Sequence, residues 1–158
     1  MLKEFKSPNL INLNQFAIFL AGTIDMGNSI NWQNEIVNRL DHLPINVFNP
    51  RRDDWNSEWK QSIDNVPFKE QVLWEMNAMN NANLIVFNFL PDSQSPVTLM
   101  ELGLHANRGI MGEIIVCCPN EYWRSGNVHI ICEEYGINLF KQFDELVDYL
   151  LNFNYEIQ

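Results

Sequence analysis

Two carboxylates stand where the surrounding sequence gives them no structural duty. Glu101 lies in "SPVTLMELGLHA", where Ser95-Pro96 reads as an N-cap followed by proline at the first helical position. The helix that follows is apolar on most sides, with Val97, Leu99, Met100, Leu102 and Leu104. Glu101 falls on the face of Val97 and Leu104, where a charge is costly. With Ser95 as N-cap the capping-box position is Thr98, so capping does not account for it. Glu75 belongs to the preceding helical stretch "FKEQVLWEMNAMNNANLIVF", where Val72, Met76 and Met79 make the core face and Glu75 and Asn77 flank it. Carboxylates in unlike surroundings can divide nucleophile and acid/base work between them. A structural network around a buried charge is the alternative for Glu101, and a surface position is the alternative for Glu75.

Three loops offer partners to such a pair. In "AGTIDMGNS" Gly22 and Gly27 flank Thr23, Ile24, Asp25 and Met26, so that backbone N–H groups can approach an anion or a sugar. The same spacing suits ordinary turn glycines, since it is neither a dinucleotide fingerprint nor a Walker loop. In "NPRRDDWNSEW" Arg52 and Asp54 offer charge-assisted hydrogen bonds, and Trp55 and Trp59 offer aromatic faces for a planar base. A solvated charged loop whose tryptophans fold back on the core is the competing reading. The third loop is "PDSQSP", leading into the helix of Glu101.

Composition narrows the partners. Twenty acidic against ten basic residues give a formal charge of -10, which repels a phosphate backbone, so a nucleic acid polymer is not the expected partner. Small nucleotides stay open, because local arginines and helix N-termini bind phosphate inside acidic proteins. Cys117, Cys118 and Cys132 are odd in number and fit a reduced compartment. His42, His105 and His129 are scattered without metal-ligand spacing, so neither a metal nor another cofactor is expected. No apolar run of about 18 residues occurs and the N-terminus lacks a secretory pattern, so the expected setting is the cytoplasm, away from membranes.

The elements that must hold these residues alternate along the chain. Apolar β-type runs at Phe16 to Leu20, Ile45 to Phe48, Leu84 to Phe89 and Glu113 to Cys118 are separated by helical patterns near Ser29 to Asp41, Pro67 to Asn81 and after Pro96. A segment around Val128 to Tyr135, a short Ile137 to Phe140 and a helix to about Phe153 complete the series. This βαβ rhythm in 158 residues, 46% of them hydrophobic, predicts one α/β domain over 1–158 with its core at about 16–153. The expected architecture is a doubly wound, flavodoxin-like or Rossmann-like parallel sheet with helices on both faces. Ligands of such sheets bind beyond the carboxyl ends of the strands, where the loops named above fall.

Taken together, "IFLAGTIDMG", "RRDDW", "WEMNAMNNANLIVFNFLPD", "SPVTLMELGLHA" and "IIVCCPNEYWRSGNV" resemble the nucleoside 2-deoxyribosyltransferase family over roughly residues 16 to 135. The resemblance implies a five-stranded sheet of order 2-1-3-4-5. It implies that Glu101, in the family's "ELG", attacks the anomeric carbon of a 2-deoxynucleoside, and that Glu75, followed by Met76-Asn77, stands for an acid/base Asp. Substrate contacts are then expected from Gly22, Thr23, Ile24, Asp25, Gly27, Arg52, Asp54, Trp55, Asn77, Asp92, Ser95 and Met100. Expected partners are a nucleoside or nucleotide and a free nucleobase, with a homo-oligomer of two to six copies in which Asn154-Tyr155 could serve a neighbour.

Two departures from the family pattern bear on function. The acidic sugar-binding residue six places before the nucleophile is Ser95 here. A serine there, with the Gly22 to Gly27 loop, resembles the related 2'-deoxynucleoside 5'-phosphate N-hydrolases, so hydrolysis of a monophosphate is the alternative to base exchange. The tyrosine that many transferases carry near the end of the first strand is absent from Phe19-Leu20-Ala21. A nucleotide-sensing module without turnover is a third reading of the same scaffold.

Overall fold

A computed structural model describes residues 1–108 and 112–156. In chain order the strands are β1 (Lys3–Phe5), β2 (Ala17–Gly22), β3 (Asn46–Phe48), β4 (Leu84–Asn88), β5 (Glu113–Cys117) and β6 (Asn138–Phe140). The helices are α1 (Trp32–Arg39), α2 (Val66–Asn81), α3 (Pro96–His105), α4 (Ser125–Glu134) and α5 (Phe143–Leu151), with a 3-10 turn at Asp25–Gly27 after β2. No helix among the described residues is long and apolar enough to cross a membrane.

The sheet corrects the expected five strands. It has six, in the order β1-β3-β2-β4-β5-β6, and every pairing is parallel. Without β1 the remaining order is the 2-1-3-4-5 expected. The added edge strand is only three residues, Lys3-Glu4-Phe5, paired in register with Asn46-Val47-Phe48. So short and charged a segment has no apolar run to announce it.

The central strands are buried on both faces, so they read as continuous apolar runs rather than as alternating ones. Ala17, Phe19 and Ala21 face one layer with Phe87, Met79, Leu102 and Val128, covered by α2, α3 and α4. Ile18 and Leu20 face the other with Val86, Trp32, Ile36, Leu146 and Leu150, covered by α1 and α5. Alternation of side chains along β2 thus sends one set to each layer. The chain from β2 turns one way to β3 and then crosses back over β2 to β4, which makes the end of β2 the switch point.

Helix starts differ in how they are capped. Asn31 and Asn65 accept N–H groups of Asn34 and Phe68, each at 3.1 Å, and open α1 and α2. Ser95 does not behave as its sequence context predicts. It precedes α3 in a left-handed conformation, φ 45°, and its side chain makes no capping bond. The hydroxyl is engaged elsewhere, in the site.

Candidate active site

The loops after β2, β3 and β4 enclose a cavity of about 350 Å³ at the switch point. That volume suits a small molecule. Phe19 and Ala21 of β2 form part of its wall, Pro50, Arg52 and Trp55 come from the loop after β3, and Gln71, Val72 and Glu75 from α2. Ser95, Thr98 and Glu101 close it from the start of α3.

Glu101 is 9% exposed and lies on the buried face of α3 with Thr98 and Leu102. Of its expected face-mates, Val97 shares the cavity wall while remaining 55% exposed, and Leu104 is 69% exposed and lies outside that wall. The apolar side chains around Glu101 in the cavity wall include Phe19 and Ala21 of the sheet, Val72 of α2 and Val97 of its own helix. Burial pushes its carboxyl up to about 8, and the neighbouring Glu75 adds to the shift. Glu75 is also raised by burial, to about 7, against a hydrogen bond from Gln71 that lowers it. Glu101, buried, and Glu75, half-buried on the same cavity wall, repel each other's charge and give up their protons in separate steps as a pair.

Gln71 holds Glu75 in place. Its Nε2 donates to Glu75 Oε1 at 2.7 Å and to the Pro50 carbonyl at 3.0 Å. The residue is 3% exposed, one turn before Glu75 on α2. The sequence reading passed over it, although a buried amide four residues from a candidate acid is a usable signal.

The loop after β2 supplies Gly22, Thr23, Ile24, Asp25 and Gly27 to the cavity wall. Gly22 is required by close approach: at φ +153° a Cβ would lie 2.3 Å from the Asn88 carbonyl and 2.7 Å from Trp32. Gly27 has open space around it and is required by its φ of +90°. Asp25, Met26 and Ser95 are the non-glycine residues at positive φ among those described, and all three line the cavity. Such strain persists where a site over-determines the backbone.

Hydroxyls link this loop to α3. Thr23 Oγ1 lies 2.6 Å from Ser95 Oγ, which lies 3.0 Å from Ser93 Oγ, and Ser93 donates to Asp25 Oδ1 at 2.7 Å. Ser93 was not anticipated from sequence, because a serine in a polar loop is unremarkable until its neighbour across the cavity is known. The loop after β5 does not reach the cavity. It braces this region from behind, with Tyr122 Oη and Trp123 Nε1 both donating to the Gln94 carbonyl, at 2.7 and 3.1 Å.

The loop after β3 combines both of its sequence readings. Arg52 is clamped by Asp54 through two bonds of 2.8 Å and lies over the ring of Trp59 at 5.0 Å. Trp55 packs edge-on against Trp59 and lines the cavity. Arg51 points away, donating to the carbonyls of Gly27, Ser29 and Ile30 at 2.8, 2.7 and 3.1 Å.

The profile of the family described as nucleoside 2-deoxyribosyltransferase like matches residues 15–122, which take in every residue of the cavity wall. The chain belongs to this family. No curated protein matches it. Of the residues expected to serve the deoxyribosyltransferase-like site, Asp54, Asn77, Asp92 and Met100 are not in the cavity wall. Asp54 acts behind Arg52, and Asn77 bonds Asn81 along α2. Asp92 is exposed in the turn after β4, and Met100, 58% exposed, is on the outer side of α3. Successive helix residues are turned by about 100°, so a neighbour of Glu75 or Glu101 is carried off the cavity side. Tyr155, expected as a residue offered to a neighbouring copy of this deoxyribosyltransferase-like chain, packs edge-on against Phe16 of its own core.

Proposed function

We propose that this protein transfers 2-deoxyribose between nucleobases, with Glu101 as nucleophile and Glu75 as general acid and base. The observation that supports the reading is the pair itself: two carboxyls raised by burial to about 7 and about 8, on one cavity wall, in a chain of this family. In the first half-reaction the ionised Glu101 bonds to the anomeric carbon as the bond from that carbon to the base breaks, and Glu75 gives its proton to a ring nitrogen of the departing base. In the second half an incoming base attacks the same carbon, its proton passes to Glu75, and Glu101 leaves as a carboxylate. Two displacements retain the configuration at the sugar carbon.

Between about 7 and about 8 the pair holds one proton, on Glu101 by the order of the two values, so the proposed roles require that proton to move to Glu75 before Glu101 attacks. The stretch Phe19-Leu20-Ala21 lacks the tyrosine that many transferases carry near the end of this strand, and Gln71 provides a positioning amide, directed at Glu75 rather than at Glu101. Trp55 offers its face to a planar base.

The test is incubation with deoxyinosine and adenine, followed by chromatography. Deoxyadenosine and hypoxanthine should form, and Glu101→Gln should form neither. Base release without exchange would reassign the protein to hydrolysis, and undiminished exchange by Glu101→Gln would remove the nucleophile from the proposal.

A further inference from the structure

Arg51 is not part of the cavity wall, yet it fastens a loop that is. Its Nη2 donates to the Gly27 and Ser29 carbonyls at 2.8 and 2.7 Å, and its Nη1 to the Ile30 carbonyl and the Ser29 hydroxyl at 3.1 and 3.2 Å. One planar fork thus meets four oxygens between residues 27 and 30, a pattern that the point charge of a lysine cannot copy. The fork also springs from a fixed base, since the Arg51 N–H donates to Asn49 Oδ1 at 2.9 Å.

The turn that Arg51 fastens is costly for the chain. Asp25, Met26 and Gly27 hold φ values of 48°, 53° and 90°, three successive residues in the left-handed region. Earlier carbonyls of the loop are engaged as well: Thr23 accepts from Trp32 Nε1 at 2.9 Å, Ile24 from the Gly27 N–H at 2.9 Å and Asp25 from the Asn28 N–H at 3.0 Å. The N–H groups of Ile24, Asp25 and Met26 have no acceptor among the described residues, and all three residues line the cavity. A loop with most carbonyls bound by protein and these N–H groups left over presents donors to a ligand. Donors held in place before binding cost less to order when the ligand arrives.

We infer that Arg51 is a positioning residue, which holds the loop after β2 in its ligand-binding shape and so sets the affinity for the sugar without touching it. This inference rests on the nucleoside reading proposed above. In that reading Glu75 protonates the base and is tied through Gln71 to Pro50, and Trp55 lies on the same loop. The base then faces the loop after β3, and the sugar faces the loop after β2. Pro50, Arg51 and Arg52 are consecutive, so one short stretch braces the acid, fastens the sugar side and supplies part of the base side.

Isothermal titration calorimetry with deoxyinosine and with free hypoxanthine separates the two sides. The wild-type chain should bind the nucleoside more tightly than the base. Arg51→Met should weaken deoxyinosine binding about ten- to hundredfold and change hypoxanthine binding less than about twofold. Arg51→Lys, which keeps the charge but not the fork, should fall between the two chains. Millimolar guanidinium chloride should restore deoxyinosine binding to Arg51→Ala, and the same concentration of sodium chloride should not. Equal losses for nucleoside and base in Arg51→Met would make Arg51 a support of the fold alone and overturn the inference. No loss for either, or wild-type binding of deoxyinosine no tighter than that of hypoxanthine, would overturn it too. The expected split together with no base exchange would instead overturn the transferase proposal and leave this one standing.

Discussion

Gln71 Nε2 lies 2.7 Å from Glu75 Oε1 and 3.0 Å from the carbonyl of Pro50, so one amide ties the acid on α2 to the loop after β3. That amide opposes the effect of burial on Glu75, since its hydrogen bond favours the ionised form. Replacing it with an isosteric apolar side chain separates positioning from packing. Gln71→Met should lower kcat about tenfold with KM changed less than about twofold, as expected for loss of one bond to a charged group. It should also move a limb of the pH profile to higher pH. An unchanged profile with reduced kcat would mean that Gln71 only supports the fold.

If exchange runs through the proposed pair, its pH dependence follows from the shared proton. Below about 7 both carboxyls hold protons and no nucleophile exists, whereas above about 8 both are ionised and no acid remains. A plot of kcat/KM should therefore be bell-shaped with its maximum between these values. A profile that is level from about pH 5 to about pH 9 would exclude the pair from the rate-determining chemistry.

The same shifts make the site a stability liability. Both carboxyls rise from an ordinary value of 4.5, so across the interval from 4.5 to about 8 the folded chain binds more protons than the unfolded one. Stability then falls as pH rises through that interval. Glu101→Gln removes a charge that is buried at high pH, so its Tm should exceed the wild-type value by several degrees near pH 8.5. Near pH 4.5 the gap should close. A variant less stable than wild type at both pH values would contradict the assigned cause.

Backbone substitutions distinguish the two loop glycines. Gly22→Ala places a methyl 2.3 Å from the Asn88 carbonyl at a φ of +153° and should cost about 2–4 kcal/mol in denaturant unfolding. Gly27→Ala meets no atom within 4 Å and should cost about 1 kcal/mol through its φ alone. Equal losses at the two positions would argue against the close approach of β2 and β4 as the reason for Gly22.

Sequence was most informative where a residue contradicted its surroundings. Glu101 stood out because a carboxylate in an apolar helix needs a reason, and the βα alternation located the strand ends that give it one. Ser93 and Gln71 gave no such contrast, since their significance depends on partners 68 and 21 positions away, at Asp25 and Pro50. Met100 and Asn77 were expected from the family resemblance, and helical rotation carries both off the cavity wall. α3 carries more apolar residues than it buries: Val97, Met100 and Leu104 are all more than half exposed, and of these Val97 alone lines the cavity with Glu101.

The short first strand ties the segment before β2 to the loop after β3. Glu4 accepts from Asn49 Nδ2 at 2.7 Å, the Phe5 carbonyl accepts from the Asn49 N–H at 2.9 Å, and Lys6 reaches Asp53 at 2.9 Å, one residue from Arg52. A purification tag fused directly upstream would tug on the segment that presents Arg52 and Trp55, and trimming the leading residues would free it. A carboxyl-terminal tag leaves those ties untouched and is the sound choice for kinetic work.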